Sequence, residues 1–366
     1  MATIGVLGAG QLGRMLALAG VPLGHRFVFV DPSEGSPAAA VGEQLTCAYT
    51  DRVGLEQLAR ADVVTYEFES VPLEAAEALA PRVALYPPPE ALRIAQDRLL
   101  EKTCFRELAI RTAEFEAVSS REELERAVEQ IGFPCVLKTR RMGYDGKGQS
   151  VLRTRGDLGL AWDTVRREPS ILESFVPFER ELSVLAVRSR TGETAFYPVV
   201  ENHHAEGILR KTVSPAPHLT EALQRGAESY ATRLMDRLGY VGVLALELFE
   251  LGGGLVANEF APRVHNSGHF SIEGSHTSQF ENHLRAILGL PLGATGALSP
   301  SVMLNLVGDL PSVEAVLAIP DAHLHLYGKT PRPARKIGHV TVRAARSEEL
   351  AARVTRLEGV LAATQK

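Results

Sequence analysis

Two glutamates and an asparagine stand out in the segment YVGVLALELFELGGGLVANEFAPR. Alternation of residue types predicts a strand in which Glu247 has apolar neighbours on both sides, where an acid without a partner is costly to bury. A GGG turn follows, and the predicted return strand brings Asn258 and Glu259 back beside the first strand. Carboxylate and amide oxygens on paired strands suit a hard cation such as Mg²⁺ on a nucleotide. The alternative interpretation is a buried glutamate that an arginine neutralises.

A glycine-rich loop between two predicted strands lies upstream, in PCVLKTRRMGYDGKGQSVL. The strand before the loop carries Lys138, and the glycines of the loop are Gly143, Gly146 and Gly148. The backbone N–H groups of such a loop can fold over a polyphosphate, while the strand lysine reaches the same phosphates from beneath. Asp145 and Lys147 add one charge of each sign. A flexible hairpin with ordinary turn glycines is the alternative.

The residues after the return strand, in APRVHNSGHF, are candidates for chemistry on a bound group. Arg263, His265 and Asn266 follow closely on Glu259, so we expect them at the rim of the same site. His265 and His269 have the i, i+4 spacing of a zinc pair, but the intervening Asn-Ser-Gly resists a helix. We therefore expect no zinc there.

Two further segments suit an anionic substrate and a nucleotide base. In LYGKTPRPARKIGH, the cations Lys329, Arg335 and Lys336 gather around prolines, which suits an anionic group, although a solvated basic loop has the same composition. In ILESFVPFERELSVL, Glu173 and Glu181 flank a bend between two predicted strands. Such a bend can present backbone N–H and C=O groups to an adenine edge between apolar side chains.

The chain opens with GAGQLG, which matches the G-x-G-x-x-G fingerprint of dinucleotide-binding proteins. The next predicted strand, RFVFVD, ends in Asp31, where that fingerprint places an acid for the ribose. This pattern alone indicates a nicotinamide-dependent oxidoreductase. The glycines would equally allow the close approach at a helix N-terminus that another anionic or polar ligand needs.

The elements that must position these residues begin with an α/β unit. Apolar strand candidates at 3–7, 26–30 and 61–65 alternate with helical patterns, which predicts a parallel, doubly wound sheet. After the linker YPPPE we expect one helix over ALRIAQDRLLEKTCFREL. In SSREELERAVEQIG, an S-x-x-E capping box predicts the start of another helix, with either Ser119 or Ser120 as its cap.

An α+β region follows. Between residues 133 and 260, many strand candidates with hairpin-like turns surround two helical stretches, near 156–168 and 219–238. A polar helix near 277–288 precedes the linker GLPLGATGALSP, after which come the short strands VMLNLV, HLHLY and HVTVRA and a closing helix. We expect three domains, which span residues 1–90, 91–295 and 296–366.

Composition excludes several classes of partner. The net charge of −5 on 366 residues argues against a surface for nucleic acid or an anionic membrane. The three cysteines, Cys47, Cys104 and Cys135, have neither metal spacing nor a disulfide framework, which fits a reducing cytosol. The first residues lack a basic targeting region, and no apolar stretch approaches about 18 residues. We expect a cytoplasmic protein that binds neither nucleic acid nor membranes, and we expect a homodimer.

In this order, the segments resemble the ATP-grasp superfamily, and most closely the N5-carboxyaminoimidazole ribonucleotide synthetase family of purine biosynthesis. The resemblance runs from GAGQLGRM through YEFESVP, QDRLLEK, GYDGKGQ, ESFVPFERELS, FYPVVENHHAEGIL and NEFAPRVHNSGH to YGKTPRPARKIGH, nearly the whole chain. It implies an ATP-grasp fold of α/β and α+β parts: an N-terminal Rossmann-like pre-ATP-grasp domain, a two-lobed ATP-grasp domain and a small C-terminal domain.

The resemblance also implies roles for individual residues. ATP would be bound by Arg98, Lys138, Gly143, Tyr144, Asp145, Gly146, Lys147, Gly148, Gln149, Glu173, Ser174, Phe175, Val176, Glu181, His204, Asn258 and Glu259. Magnesium would be held by Glu247, Glu259 and Asn258, and catalysis would involve Arg263, His265, Tyr144 and Lys147. The second substrate would be bound by Gln11, Leu12, Glu67, Asn266, Lys329, Arg335 and Lys336. His203, adjacent to His204, is the alternative to it in the nucleotide site.

The implied reaction is the carboxylation of 5-aminoimidazole ribonucleotide with ATP, Mg²⁺ and bicarbonate. ATP would phosphorylate bicarbonate to carboxyphosphate, and the N5 amine would take up the carboxyl group or the CO₂ released from it. Three alternatives remain: a formate-dependent transformylase acting on glycinamide ribonucleotide, a nicotinamide oxidoreductase, and a catalytically silent nucleotide-binding protein. The pattern of the transformylase lacks the full PRVHNSGH and RKIGH strings found here.

Overall fold

Four parallel strands form the first sheet of the computed structural model, which describes residues 1–143 and 148–364. They are β1 (Thr3–Leu7), β2 (Arg26–Asp31), β3 (Glu43–Thr46) and β4 (Val63–Tyr66), in the order β3-β2-β1-β4. Their helices are α1 (Gln11–Gly20) on one face and α2 (Arg52–Leu58) and α3 (Leu73–Leu79) on the other. The predicted α/β unit is confirmed, but the sequence pattern missed β3, a polar edge strand without an apolar signal.

The prediction of a single helix after the YPPPE linker is wrong, because the chain forms α4 (Pro89–Ala95) and α5 (Arg98–Glu107). The break lies at Asp97. Its carboxylate accepts hydrogen bonds from the backbone N–H groups of Leu99, at 3.0 Å, and Leu100, at 3.4 Å. This is an N-cap, which satisfies the free donors at the start of α5 and gives that helix its own direction.

The second sheet contains four antiparallel strands in the order β5-β8-β6-β7, namely β5 (Phe115–Val118), β6 (Cys135–Thr139), β7 (Gln149–Leu152) and β8 (Ser170–Ser174). Helices α6 (Arg121–Ile131) and α7 (Leu158–Thr164) pack against it. Helix α6 begins after Ser120, whose hydroxyl accepts a hydrogen bond from the Glu123 N–H. Strands β6 and β7 flank the glycine-rich segment, and Lys138 lies opposite Gln149 in their register.

The third sheet contains nine antiparallel strands: β9 (Arg180–Arg188), β10 (Thr194–Phe196), β11 (Val200–Ala205), β12 (Ile208–Ser214), β13 (Gly242–Leu251), β14 (Gly254–Ala261), β15 (Ser301–Val307), β16 (Ala322–Leu326) and β17 (Lys336–Arg343). Their order is β14-β13-β9-β11-β12-β15-β17-β16, and β10 pairs with β9. The C-terminal strands therefore continue this sheet through the β12–β15 pairing, so the end of the chain is built onto the same layer.

Five helices accompany the third sheet: α8 (Glu221–Leu238), α9 (Ser271–Gly274), α10 (Gln279–Leu288), α11 (Val313–Leu317) and α12 (Ser347–Thr364). Helix α8 packs on β9, β13 and β14, whereas α10 packs on the other face together with α1 of the first unit. Helices α11 and α12 pack on β15 and β17. Within residues 1–143 and 148–364, no helix is long and apolar enough to cross a membrane.

A buried histidine joins the first sheet to the third. His283 of α10 accepts a hydrogen bond at Nδ1 from the Val243 N–H, at 3.1 Å, so its Nε2 carries the proton and donates to Thr65 Oγ1 at 2.9 Å. Burial lowers the pKa of His283 to about 3. The imidazole is therefore neutral at physiological pH, as both hydrogen bonds require.

His283 should make stability fall as the solution is acidified. Below a pH of about 6.5 the unfolded chain takes up a proton at His283 that the folded chain does not, which at pH 5 costs about 2 kcal/mol. In His283→Gln this contribution is absent. The variant should be less stable than the wild type at pH 7, and the difference in thermal unfolding midpoint should narrow at pH 5. A difference that stays constant between these pH values would contradict this account.

Candidate active site

A cleft of about 1030 Å³ is lined by residues from all three sheets and their loops. The predicted site residues that line it are Gln11, Leu12, Arg98, Lys138, Gly143, Gln149, Glu173, Ser174, Phe175, Val176, Glu181, His204, Glu247, Asn258, Glu259, Arg263, His265, Asn266 and Lys336. The lining does not include Glu67, Gly148, Lys329 and Arg335. The predictions for Tyr144, Asp145, Gly146 and Lys147 lie outside the described residues. Segments far apart in sequence thus meet at one cavity of nucleotide size.

The predicted acids lie side by side on β13 and β14. Glu247 is directly opposite Glu259 in the antiparallel register, and the next pair along is Leu248 with Ala257. Asn258 is therefore the extra residue of a β-bulge. A bulge turns its strand locally, so Asn258 and Glu259 both line the cleft although they are neighbours in sequence.

The electrostatics of this pair suit a cation. Burial and the charge of Glu247 raise the pKa of Glu259. For Glu247, burial alone would raise the pKa, but hydrogen bonding and the charge of His265 lower it. Among the described residues, no cluster of three His, Cys, Asp or Glu side chains could hold a metal by itself. Two carboxylates and one amide fit Mg²⁺ that takes its remaining oxygens from water and phosphate.

His265 is held in place from both sides. Gln279, the first residue of α10, accepts a hydrogen bond from the His265 N–H at 2.9 Å and donates to its carbonyl oxygen at 2.6 Å. The ring Nδ1 accepts from the Ser267 N–H at 3.3 Å, which leaves the proton on Nε2. That nitrogen lies 3.1 Å from Glu247 Oε1. His265 therefore orients one of the two acids by donating a hydrogen bond to it.

The predicted phosphate-binding cations line the same cleft as the acids. Lys138 on β6 donates a 2.9 Å hydrogen bond to Glu173 Oε2. Arg98, the first residue of α5, donates to the carbonyl oxygens of Thr139 at 3.2 Å and Gly143 at 3.3 Å, and lies 3.7 Å from Glu259. Cations and acids therefore line one cleft together, a combination of charges that a metal-bound polyphosphate requires.

The structure separates the two adjacent histidines of β11. A register shift lies between His203 and His204, so the two rings find different partners. His203 Nε2 lies 3.0 Å from Glu201, whereas His204 lines the cleft and pairs with Glu181. Burial alone would lower the pKa of His204, but the hydrogen bond and charge of Glu181 raise it. His204 therefore lies in the cleft, and its role in the nucleotide site stays a prediction.

The GAGQLG loop binds a carboxylate of its own chain. Glu67, directly after β4, accepts hydrogen bonds from the backbone N–H groups of Gly10 and Gly13 at the start of α1, the latter at 2.6 Å. Asp31 accepts from the Ala9 N–H at 2.9 Å and from the Tyr49 hydroxyl at 3.2 Å. Burial raises the pKa of Glu67, and the two N–H donors oppose that rise. The groups that would bind a dinucleotide are thus already engaged.

The basic C-terminal loop divides its three cations. Lys336 at the start of β17 lines the cleft. Lys329 contacts the side chain of Gln11, and burial lowers the pKa of Lys329. The Arg335 guanidinium donates to the Thr330 carbonyl oxygen at 3.0 Å, inside its own loop. The three predicted cations are therefore separated: Lys336 lines the cleft, Lys329 contacts Gln11 at the start of α1, and Arg335 bonds within its own loop.

Family models match three consecutive parts of the chain. The ribonucleotide synthetase preATP-grasp domain matches residues 1–96, and the ATP-grasp domain matches residues 103–280. The phosphoribosylaminoimidazole carboxylase C-terminal domain matches residues 301–353. These matches confirm the expected fold class and its three-part order.

Curated proteins and solved structures are similar over the full length. The N5-carboxyaminoimidazole ribonucleotide synthase of Pseudomonas aeruginosa is 53% identical over 98% of this chain and 99% of its own. The chain belongs to the N5-carboxyaminoimidazole ribonucleotide synthase family. It is thus an ATP-grasp ligase. The crystal structure of the Thermus thermophilus synthetase is 53% identical with a TM-score of 0.94, covering 98% of each chain. A structure from Aspergillus clavatus, in complex with ADP and 5-aminoimidazole ribonucleotide, is 33% identical with a TM-score of 0.92, covering 99% of each.

In this member of the synthase family, the cleft contains an acid that the sequence analysis missed. Glu69 lies two residues after Glu67 in YEFESVP, lines the cleft and forms an ion pair with Arg263. Burial alone would raise the pKa of Glu69, but Arg263 lowers it to about 2. The pair joins the first unit to the end of β14. The sequence does show a second acid, Glu69, in the same segment as Glu67. The local pattern does not indicate which of the two acids faces the cleft.

The fit of Glu67 against the glycine loop predicts the effect of adding one methyl group. In Gly10→Ala the new Cβ would collide with the Glu67 carboxylate and displace it from its two N–H donors. A buried acceptor left without donors costs about 1–3 kcal/mol. The thermal unfolding midpoint should therefore fall by several degrees. Gly159→Ala, where the nearest atom to a Cβ is 3.8 Å away, is the matched control. Equal midpoints for the two variants would contradict the fit.

Proposed function

We propose that the chain carboxylates 5-aminoimidazole ribonucleotide at its N5 amine, using ATP and bicarbonate, and releases ADP and phosphate. The observation that supports this most is that the paired acids Glu247 and Glu259 line the same cleft as Lys138 and Arg98, in a chain of the synthase family. ATP phosphorylates bicarbonate to carboxyphosphate, and the amine then takes up the carboxyl group or the CO₂ released from it, as phosphate leaves. The protein contributes mainly by positioning the reactants and neutralising their charge.

The nucleotide half of the cleft holds ATP between cations and an apolar wall. Lys138 and Arg98 neutralise phosphate charge. The stretch Glu173–Val176 meets the adenine, beside the stacked rings of Phe178 and Phe249, whose centroids are 4.5 Å apart. Glu247, Glu259 and Asn258 hold magnesium, which supplies charge neutralisation and polarisation of the terminal phosphate when bound. Tyr144, Asp145, Gly146 and Lys147 keep the roles that the resemblance implies.

The other half of the cleft binds the ribonucleotide. Lys336 and Lys329 supply positive charge for its phosphate, as expected for a substrate of this chemical class. Both polar atoms of the Asn266 amide are buried without a hydrogen-bond partner in the described part of the chain, which suits a group that a substrate completes. Arg263 and His265 lie between the two halves and are placed to act on the carboxyl intermediate and the incoming amine.

A competition between two ribonucleotides tests this function. With ATP, Mg²⁺ and bicarbonate, phosphate release should depend on 5-aminoimidazole ribonucleotide. With ATP, Mg²⁺ and formate, glycinamide ribonucleotide should give none. The reverse result would indicate the formate-dependent transformylase. NADH fluorescence should not change on mixing with the protein, because Glu67 and Asp31 already engage the dinucleotide-binding groups.

The assignment of the metal site predicts that Glu247→Gln abolishes turnover without unfolding the protein. Loss of one magnesium ligand should lower kcat by at least about 100-fold, because even outer-shell partners of a metal contribute about 10–100-fold. Raising the magnesium concentration should recover part of the loss. Glu116→Gln, which changes an exposed acid on β5, is the control. Turnover unchanged in Glu247→Gln would overturn the assignment of the metal site, whereas a wild-type chain that binds ATP without any turnover would be a catalytically silent nucleotide-binding protein.

We further propose the domain limits 1–90, 91–295 and 296–366, a homodimeric assembly and a cytoplasmic location. The family matches to residues 1–96, 103–280 and 301–353 support domain limits close to these. Light scattering during gel filtration should give the mass of two chains. The mass of one chain would overturn the proposed assembly.

A further inference from the structure

Lys102 is a buried cation directly behind the nucleotide site. It lies one helical turn after Arg98 on α5, and its side chain is 2% exposed. Its Nζ donates to Thr112 Oγ1 at 3.0 Å and to the Ala257 carbonyl oxygen at 3.4 Å, and lies 3.5 Å from Glu173 Oε2. Lys102 is not among the cleft-lining residues, so a ligand in the cleft does not meet it directly.

Glu173 shares one oxygen between two ammonium groups. Its Oε2 accepts from Lys138 Nζ at 2.9 Å on the cleft side and faces Lys102 Nζ at 3.5 Å on the buried side. Its Oε1 is buried and has no hydrogen-bond partner within the described residues. One carboxylate is therefore matched with two cations, of which only Lys138, 16% exposed, reaches the cleft.

This arrangement has a consequence for nucleotide binding. A phosphate that enters the cleft competes with Glu173 for Lys138. If Lys138 were the sole counter-ion of Glu173, turning it towards the phosphate would leave a buried carboxylate unpaired, which is strongly unfavourable. The charge of Arg98 also lowers the pKa of Glu173, after those of Lys102 and Lys138, but its guanidinium donates its hydrogen bonds to the carbonyl oxygens of Thr139 and Gly143. Lys102 is anchored beside Glu173 by its hydrogen bonds to Thr112 and Ala257.

We propose that Lys102 is a positioning residue for ATP: it is the standing counter-ion of Glu173 and so leaves Lys138 available for the nucleotide phosphates. The inference rests on the proposed binding of ATP in this cleft. Helix α5 thus contributes two residues to the nucleotide site: Arg98 directly and Lys102 through Glu173.

The test is nucleotide affinity in Lys102→Met, measured by isothermal titration calorimetry with ATP and no second substrate. Breaking a buried ion pair should weaken ATP binding about 10- to 100-fold. In steady-state assays KM for ATP should rise by a similar factor, with KM for the ribonucleotide unchanged and kcat at saturating ATP changed much less. Lys102→Arg should recover part of the affinity. Lys211→Met, which removes a surface lysine 3.5 Å from Glu358, is the matched control and should bind ATP as the wild type does.

A double-mutant cycle separates this role from simple packing. Glu173→Gln removes the charge that Lys102 neutralises, so Lys102→Met should weaken ATP binding little further in that background. Additive effects, or wild-type affinity in Lys102→Met, would overturn the proposal. Should Lys102→Met fail to fold, Thr112→Val removes the anchoring hydrogen bond and should weaken binding several-fold, and unchanged affinity there would also overturn it. A wild-type chain that binds no ATP would refute the proposed function instead.

Discussion

Two carboxylates on facing strands are the condition that the rest of the site must satisfy. Glu247 and Glu259 are directly opposite each other, where like charges repel, with the Glu247 side chain 17% exposed and the Glu259 side chain 46% exposed. Donors from other segments offset part of the repulsion: His265 donates a hydrogen bond to Glu247, 3.1 Å away, and the Arg98 guanidinium lies 3.7 Å from Glu259. The bulge at Asn258 adds an amide side chain to the same cleft. Such a pair is unfavourable as packing and favourable where a cation binds, which is why we assign the metal and the nucleotide phosphates to this place.

The cations that complement these acids lie on different layers. The acids belong to the third sheet, Lys138 belongs to the second, and Arg98 begins the helix between the first and second units. Since Glu247 and Glu259 belong to a different sheet from Lys138 and a different element from Arg98, the site forms only when these elements pack together. Lys102 is buried at that junction, where its contacts reach Thr112, β8 and β14. The pairing of charges between layers thus links the fold to ligand binding. It involves residues, such as Lys102, that do not line the cleft.

Sequence patterns predicted the parts of the molecule whose signal is local. Apolar alternation placed the strands around Glu247, and the glycine spacing marked the loop after Lys138. The polar strand β3 and the break at Asp97 were missed, since edge position and a single capping side chain override periodicity. Pairings between distant segments, such as Glu69 with Arg263, could not be derived, because a sequence pattern does not say which acid in YEFES faces the cleft. The sequence therefore indicated which residues are candidates for chemistry, whereas tertiary packing decides which charged side chains pair with each other.

The glycine fingerprint at the start of the chain shows why that distinction matters. Its tight turn and helix N-terminus form as the motif predicts, and such a terminus attracts an anion. The anion here is the carboxylate of Glu67, which directly follows β4, the third strand after the motif in sequence order, and accepts hydrogen bonds from the N–H groups of Gly10 and Gly13. Asp31, the residue that would meet a ribose, holds the Ala9 N–H instead. The same local geometry therefore serves an internal ligand. The glycines fix what the turn can bind, and the residue packed against them decides what it does bind.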